Sequence, residues 1–439
     1  ARAKAEHADV VVVNHALIVL ALALDAQTEG KIQLLPRHPV LVIDEAHRLM
    51  EMATHVLGTE ITLGRWRWVA RRASRLREDL RSHPAYGEIT QALQAVDEQA
   101  SLAIVQAEAW LSSLERGLGA ARTALLRPVD SDDEFPALDD TLAVVSAIRR
   151  VVSAMVRVKE PLVEIEQIDR WRQFQGAVAT LADDLRRTTS DTLGFARYVL
   201  KERALRVLAQ PIDVAPWLSA HLWTEKRSVI ATSATLSTGG TFAYFQARAG
   251  CPDTAATLIV PSPFDFRRQA LLYLPRADEG LIPPSSTSMA YLDTLAARVE
   301  ALLLASQGRA FVLCTSYRVM RELADRVAPR LRWQTFVQGD LPPAELLRQF
   351  RADVSSVLFA TRSFWEGVDC SGETLSLVII DRIPFASPDD PLWKARCEAI
   401  TQAGGSWFSE LALPEAALTL KQGTGRLIRS KQDTGIVAI

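Results

Sequence analysis

Cysteine is scarce: Cys251, Cys314, Cys370 and Cys397 lie far apart in 439 residues, and no Cys-x-x-Cys pair occurs. That spacing argues against a disulfide framework and against a cysteine-built metal site within the chain, and it fits a reducing, cytoplasmic setting. An excess of charge of one sign is missing as well, the formal net charge being −2. Attraction of nucleic acid by a global field is thereby excluded, so any such binding has to come from local basic patches. Long apolar runs are absent: the most apolar stretch, Val10 to Leu24, is broken by Asn14 and His15. The apolar run beyond these two residues is too short to span a bilayer, and no membrane partner is expected. No signal peptide, internal repeat or low-complexity tract is visible. Hydrophobic residues make up 48% and charged residues 23%, a globular profile with length for two or three domains. A polar lead, Ala1 to Ala8, runs straight into Val10 to Val13, and Gly435 to Ile439 read as a buried strand with nothing after it. Natural chains usually end in frayed segments, so a fragment is expected.

Short apolar runs alternate with helical patterns in two blocks. The first holds strand candidates Val10 to Val13, Val40 to Ile43 and Ser228 to Ala231. The second holds Ala310 to Cys314, Gln334 to Val337, Ser356 to Ala360, Leu375 to Ile380 and Ile436 to Ile439. Continuous Val/Ile/Leu runs separated by helices predict parallel sheets covered on both faces, hence two α/β domains. Between Ile61 and Pro211 strand runs vanish and helix formers dominate. Trp66, Val69, Ala73, Leu76 and Leu80 make one apolar helical stripe, with Arg67, Arg71 and Arg75 on another face. The acidic stretch Asp130 to Asp140 reads as a solvated loop. The expected division is a first domain over 1–61 and 211–262, an all-helical insertion over 62–210, and a second domain over 263–439.

Four segments carry chemistry. In Val40-Leu41-Val42-Ile43-Asp44-Glu45-Ala46-His47 an apolar strand delivers two adjacent carboxylates at its carboxyl end, where open α/β sheets bind ligands. In nucleotide hydrolysis the first can hold Mg²⁺ and the second can orient the attacking water. The competing reading is a strand ending in a polar turn with a helix N-cap. Ile230 to Leu236 ends a strand in small hydroxyl residues, with Ser233 and Thr235 able to bond a phosphate, a DNA backbone or His47, or simply to cap a helix. Gln422-Gly423-Thr424-Gly425-Arg426-Leu427-Ile428-Arg429 places two arginines three apart on a helix start, suited to paired phosphate contacts but also to surface ion pairs. In Ala360 to Asp369, Gly367 allows a tight turn and Asp369 can reach a ribose or an arginine, while Phe364 and Trp365 serve equally as core or as stacking partners.

In this order the segments resemble superfamily 2 helicases, and Ser363 to Asp369 with Leu375 to Asp390 is similar to bacterial DinG-type enzymes, relatives of XPD. Asn14 to Leu17 and Ser262 to Asp265 match the same family. The resemblance implies two RecA-like parallel-sheet motor domains, with the insertion as an Arch domain that helps enclose single-stranded DNA. It implies ATP and Mg²⁺ as ligands, Asp44 on the metal and Glu45 activating water. His47 would couple to Ser233 and Thr235, while Gln422, Gly425, Arg426 and Arg429 would address the nucleotide phosphates. Gly367 and Asp369 would link nucleotide to DNA, and Asn14, His15, Thr315, Ser316 and Glu366 would serve DNA contact or coupling. The expected activity is ATP-driven 5′→3′ translocation on single-stranded DNA with unwinding of forked or branched DNA, in repair or replication. For Arg67, Arg71 and Arg75 a backbone contact and a solvated helix face both stand.

Two departures matter. The family's Gly-x-x-x-x-Gly-Lys-Ser/Thr phosphate loop is absent, since Gly30-Lys31 is followed by Ile32 and lacks the second glycine. The family's [4Fe-4S] cluster has no ligands in this chain. One N-terminal truncation accounts for both, and leaves this chain alone inactive for hydrolysis. Two alternatives are a non-catalytic nucleic-acid-binding protein derived from a motor, and a nuclease-linked member of the family.

Overall fold

The computed structural model describes residues 5–81, 86–126, 138–156, 158, 165–189, 194–225, 227–282, 288–361, 364, 375–425 and 427–439. Among them twelve strands form: β1 (Val40–Ile43), β2 (Thr59–Ile61), β3 (Thr123–Leu125), β4 (Phe195–Lys201), β5 (Leu205–Pro211), β6 (Ser228–Ala231), β7 (Ala270–Tyr273), β8 (Ala310–Cys314), β9 (Thr335–Val337), β10 (Val357–Thr361), β11 (Leu377–Ile380) and β12 (Gly435–Ala438). The chain divides into two compact units. One comprises 1–232, 246–252 and 387–405; the other comprises 233–245, 253–386 and 406–439.

In the second unit a six-stranded sheet runs in the order β7-β12-β11-β8-β10-β9, every pairing parallel. Its central strands are apolar throughout because each side of the pleat meets its own core. Val312, Cys314, Val357, Phe359, Leu377 and Ile379 face one, shared with the helices Met289–Ser306 and Tyr317–Val327. Phe311, Leu313, Leu358, Ala360, Val378 and Ile380 face the other, shared with the helix Pro343–Ala352. The connection after β8 covers the first face, while that after β11 returns through Leu427 and Ile428 on the second. Neighbouring connections diverge between β8 and β11, and the crevice that such divergence implies lies at their carboxyl ends.

The first unit contains β1 and β6 paired in parallel, Val40 opposite Ser228 through Ile43 opposite Ala231. Val10 to Val13, expected as a strand, form no ladder among the described residues, and Val12 is 91% exposed. The expected all-helical insertion is corrected too. Long helices Leu63–Asp79, Tyr86–Leu118, Leu138–Val156 and Ile165–Thr189 pack around Trp66, Trp110, Trp171 and Phe174. Beside them lies a four-stranded antiparallel sheet, β2-β5-β4-β3. The helix Pro391–Gln402, expected in the second domain, also belongs to this unit. Its Arg396 donates to the Ile212 carbonyl (3.0 Å) and to Thr54 Oγ1 (3.1 Å), and Thr123 Oγ1 donates to the Asp389 carbonyl (3.2 Å). Among the described residues no helix is long and apolar enough to cross a membrane.

Candidate active site

Asp44 and Glu45 leave the carboxyl end of β1, and the turn stays tied to β6. Thr232 N donates to the Ile43 carbonyl (2.9 Å) and Ala46 N to the Thr232 carbonyl (3.0 Å). Between those two bonds Glu45 sits at φ 48°, ψ 44°, left-handed backbone that a side-chain-bearing residue rarely adopts. Such a conformation costs of order 1–3 kcal/mol and persists only where its surroundings impose it. Here the Glu45 N–H donates to Asp44 Oδ1 (3.0 Å) and the Glu45 carboxylate reaches His47 Nδ1 (3.2 Å). The Glu45 side chain is more than half exposed, so it can meet a water or a ligand. His15 Nε2 donates to the Asp44 carbonyl (2.8 Å), steadying the backbone that carries both carboxylates. Asn14 caps the helix His15–Gln27, its Oδ1 accepting from Leu17 N (2.9 Å). The Asn-His pair therefore holds the carboxylate turn through a capped helix, a local signal visible in the sequence as an N-cap residue before an apolar helix.

In the second unit Ser233 Oγ and Thr235 Oγ1 lie 3.3 Å apart, and Thr235 N donates to Ser233 Oγ (3.1 Å). Gln422 Nε2 donates to the buried Thr235 hydroxyl (3.3 Å), so the structure brings these two motifs together. The arginine segment is not a helix start. The helix Leu413–Thr424 ends there with Gly425 as its C-cap, because glycine favours termini over helix interiors. Arg429 lies beyond it, exposed, in a loop built on Asp433. Arg429 N (2.8 Å) and Ser430 N (2.7 Å) donate to Asp433 Oδ2, and Ser430 Oγ (2.7 Å) donates to Oδ1. Burial acts to raise the Asp433 carboxyl, but these bonds outweigh it and hold its pKa below the usual range. Gln269, buried, donates to the carbonyls of Ser430 and Asp433 (2.9 Å each) and accepts from Asp265 N (2.9 Å). Gly435 lets the loop lie close: a Cβ there would stand 2.5 Å from Leu427 Cδ1 and 2.7 Å from the Ser376 carbonyl. Arg426, Glu366, Gly367 and Asp369 fall outside the described residues.

Thr315 and Ser316 follow β8 into the crevice. Thr315 donates to Asp381 from its backbone N–H (2.9 Å) and its hydroxyl (3.2 Å), while Ser316 caps the helix Tyr317–Val327 by accepting from Val319 N (3.2 Å). Asp381 is a buried carboxylate at this place that sequence motifs do not reveal. Burial pushes its carboxyl up to about 6, against the lowering effect of Arg382 and of the two Thr315 bonds. Its one signal is a lone carboxylate directly after the apolar run Leu377–Ile380.

Residues 299–439 match the helicase C-terminal domain family. The whole chain aligns at 35% identity with the ATP-dependent DNA helicase YoaA of Escherichia coli K12, covering 65% of that protein. It aligns at 35% with the ATP-dependent helicase DinG of Mycobacterium tuberculosis, covering 62%. The chain thus spans a little under two thirds of these relatives. An XPD helicase structure shares the fold over 96% of this chain and 67% of its own, with a TM-score of 0.54 at 15% identity. Motif order, parallel sheets and alignment along the full chain agree: the chain is similar to the DinG- and YoaA-named ATP-dependent helicases along its whole length and shares its fold with XPD.

Proposed function

We propose that this chain is the motor part of an ATP-dependent DNA helicase that moves 5′→3′ on single-stranded DNA and unwinds forked or branched DNA in repair or replication. The observation that carries the proposal is the Asp44–Glu45 turn at the end of a parallel strand, in one chain with the Gln422–Arg429 segment. Asp44 would take Mg²⁺, which needs only one or two carboxylates beside the substrate's phosphates and so fits a site without a three-ligand protein cluster among the described residues. The metal's contribution there is neutralisation of phosphate charge. Glu45 orients the attacking water, and His47, close to it, restrains its carboxylate. Arg426 and Arg429 supply charge to the phosphoryl group, and their planar forks suit phosphate oxygens. Gln422, bonded to Thr235, passes nucleotide state to the Ser233–Thr235 hydroxyls, which with His47 make the coupling set. Thr315 and Ser316 stand at the carboxyl end of β8, within reach of a DNA backbone.

No phosphate loop occurs in the sequence, so cradling of the phosphates is not assigned to any residue of this chain. A [4Fe-4S] cluster does not fit the described cysteines. Cys251, Cys314 and Cys397 form no metal-holding group among the described residues, and burial raises the Cys314 thiol well above its usual range.

Glu45→Gln in the natural polypeptide tests the proposal. DNA-stimulated phosphate release is expected to fall by orders of magnitude while ATP binding persists. Turnover near the original rate would remove Glu45 from catalysis. Absence of DNA-stimulated turnover in the unsubstituted polypeptide would favour the non-catalytic nucleic-acid-binding reading.

A further inference from the structure

The helix Leu63–Asp79 carries six arginines in 17 residues, and they are not spent alike. Three are neutralised: Arg65 by Asp184 (2.6 Å), Arg67 by Glu108 (2.9 Å) and Arg77 by Asp97 (2.9 Å). Arg71 and Arg75, both exposed and one helical turn apart, have no ion-pair partner among the described residues. Arg72 lies over the Trp68 ring, its guanidinium carbon 4.6 Å from the centroid, and its Nη2 donates to Gln173 Oε1 (3.1 Å). Trp66, Val69, Ala70, Ala73 and Leu76 already satisfy the apolar face, yet Trp68 remains 43% exposed on the other side. Shallow grooves flank the helix. One, toward the helix Tyr86–Leu118, is lined by Arg71, Ser74, Arg75 and Ser101; the other, toward the helix Ile165–Thr189, by Arg72, Arg75, Arg170 and Gln173. Carboxylates also line these grooves, Glu78 the first and Asp79 with Asp169 the second; Asp79 is held by Arg170 (2.8 Å), and neither Glu78 nor Asp169 forms an ion pair with Arg71 or Arg75 among the described residues.

We infer that this face is a docking surface for single-stranded nucleic acid, with Arg71 and Arg75 on successive phosphates and Trp68 stacking a base. The inference rests on the helicase reading above and adds a specific contact surface remote in sequence from its motifs. Arginine forks grip phosphate oxygens without regard to sequence. An indole backed by a fixed guanidinium offers one free flat face, which a splayed base can cover and a duplex, with its bases stacked inside, cannot. An acidic protein segment would use the arginines but gain little from the ring. Charge complementarity and the half-exposed ring together therefore select single strands.

Anisotropy titrations of the 439-residue chain with fluorescein-labelled oligo(dT), across a salt series, test this. Arg71→Gln/Arg75→Gln is expected to weaken binding several-fold and to flatten the log Kd against log salt slope by about 1.4, at roughly 0.7 for each phosphate no longer neutralised. Trp68→Ala is expected to weaken oligo(dT) about tenfold, with Trp68→Phe restoring most of it and an abasic strand insensitive to both. Arg149→Gln/Arg150→Gln, exposed on the helix Leu138–Val156, removes equal charge elsewhere and is expected to leave binding and slope unchanged. An unchanged slope in the Arg71/Arg75 variant, or an equal loss in the Arg149/Arg150 control, overturns the surface. Preference for a polyglutamate competitor or for duplex over oligo(dT) overturns the assignment to single strands. If the unsubstituted chain binds and the Trp68 and Arg71/Arg75 variants match it, this inference alone fails; if the unsubstituted chain binds no oligo(dT), the inference fails together with the DNA-binding reading.

Discussion

The two parallel sheets make opposite use of similar sequences. In the second unit, β8, β10 and β11 are buried on both faces, with Phe311 and Phe350 packed at 4.8 Å between ring centroids. In the first unit, β1 and β6 have equally apolar runs, yet Val40, Val42 and Ile230 are each about half exposed. Within this chain, which spans a little under two thirds of its relatives, one sheet is packed on both faces while the β1–β6 pair is tied by its backbone ladder and the bonds that continue it past Ile43. An apolar run thus announces a strand but not how firmly it is held, and the Asp44–Glu45 turn sits on the less packed of the two.

Four substitutions sharpen that contrast. Phe350→Ala removes a fully buried ring from the six-stranded sheet and should cost about 3–5 kcal/mol in urea unfolding of the second unit. Asp381→Asn tests burial of charge at the crevice. Because the folded pKa is raised to about 6, the native state holds its proton longer, and wild-type stability falls as pH rises from about 4 to 6. The variant lacks that decline, gaining on wild type by up to roughly 3 kcal/mol at neutral pH; melting curves at about pH 3.5 and 7, on either side of that window, read the difference. Gln269→Met leaves the Ser430 and Asp433 carbonyls without their donor and should cost about 1–3 kcal/mol, with Arg429 amide exchange accelerating. Val42→Thr, on the exposed side of β1, should change stability by no more than about 0.5 kcal/mol. A loss near that of Phe350→Ala would show that β1 is held by packing after all.

Most continuous apolar runs were easy to read, whether buried on both sides or on one. The run Ala310–Cys314 is a strand at the expected residues, as are the half-exposed Val40–Ile43 and Ser228–Ala231. The hairpin β4–β5 was not legible. Its connection, Glu202-Arg203-Ala204, lacks the glycine, proline or asparagine that announces a turn, and alanine, leucine and arginine within the strands suggest helix. β7 was hidden for another reason: it is an edge strand whose Leu271 and Leu272 are exposed, so four residues carried no pattern. Among the candidate residues, Asp44 and Glu45, Ser233 and Thr235, and Gln422 stand out in the sequence because each belongs to a short local pattern. Gln269 and Asp381 do not, since each acts on residues far away in the chain, Asp433 and Thr315, and no spacing rule connects them. The helical state expected for Arg429 does not hold because glycines on either side of Thr424 end the helix before the arginine is reached.

Gly435 carries a lesson for anyone mapping this protein by loss of function. It is no ligand and bears no charge, yet any side chain there would push Leu427 away from the sheet and carry the neighbouring arginine segment with it. A mutational scan would score the position as though it were a direct functional contact, when its whole contribution is the space it leaves empty.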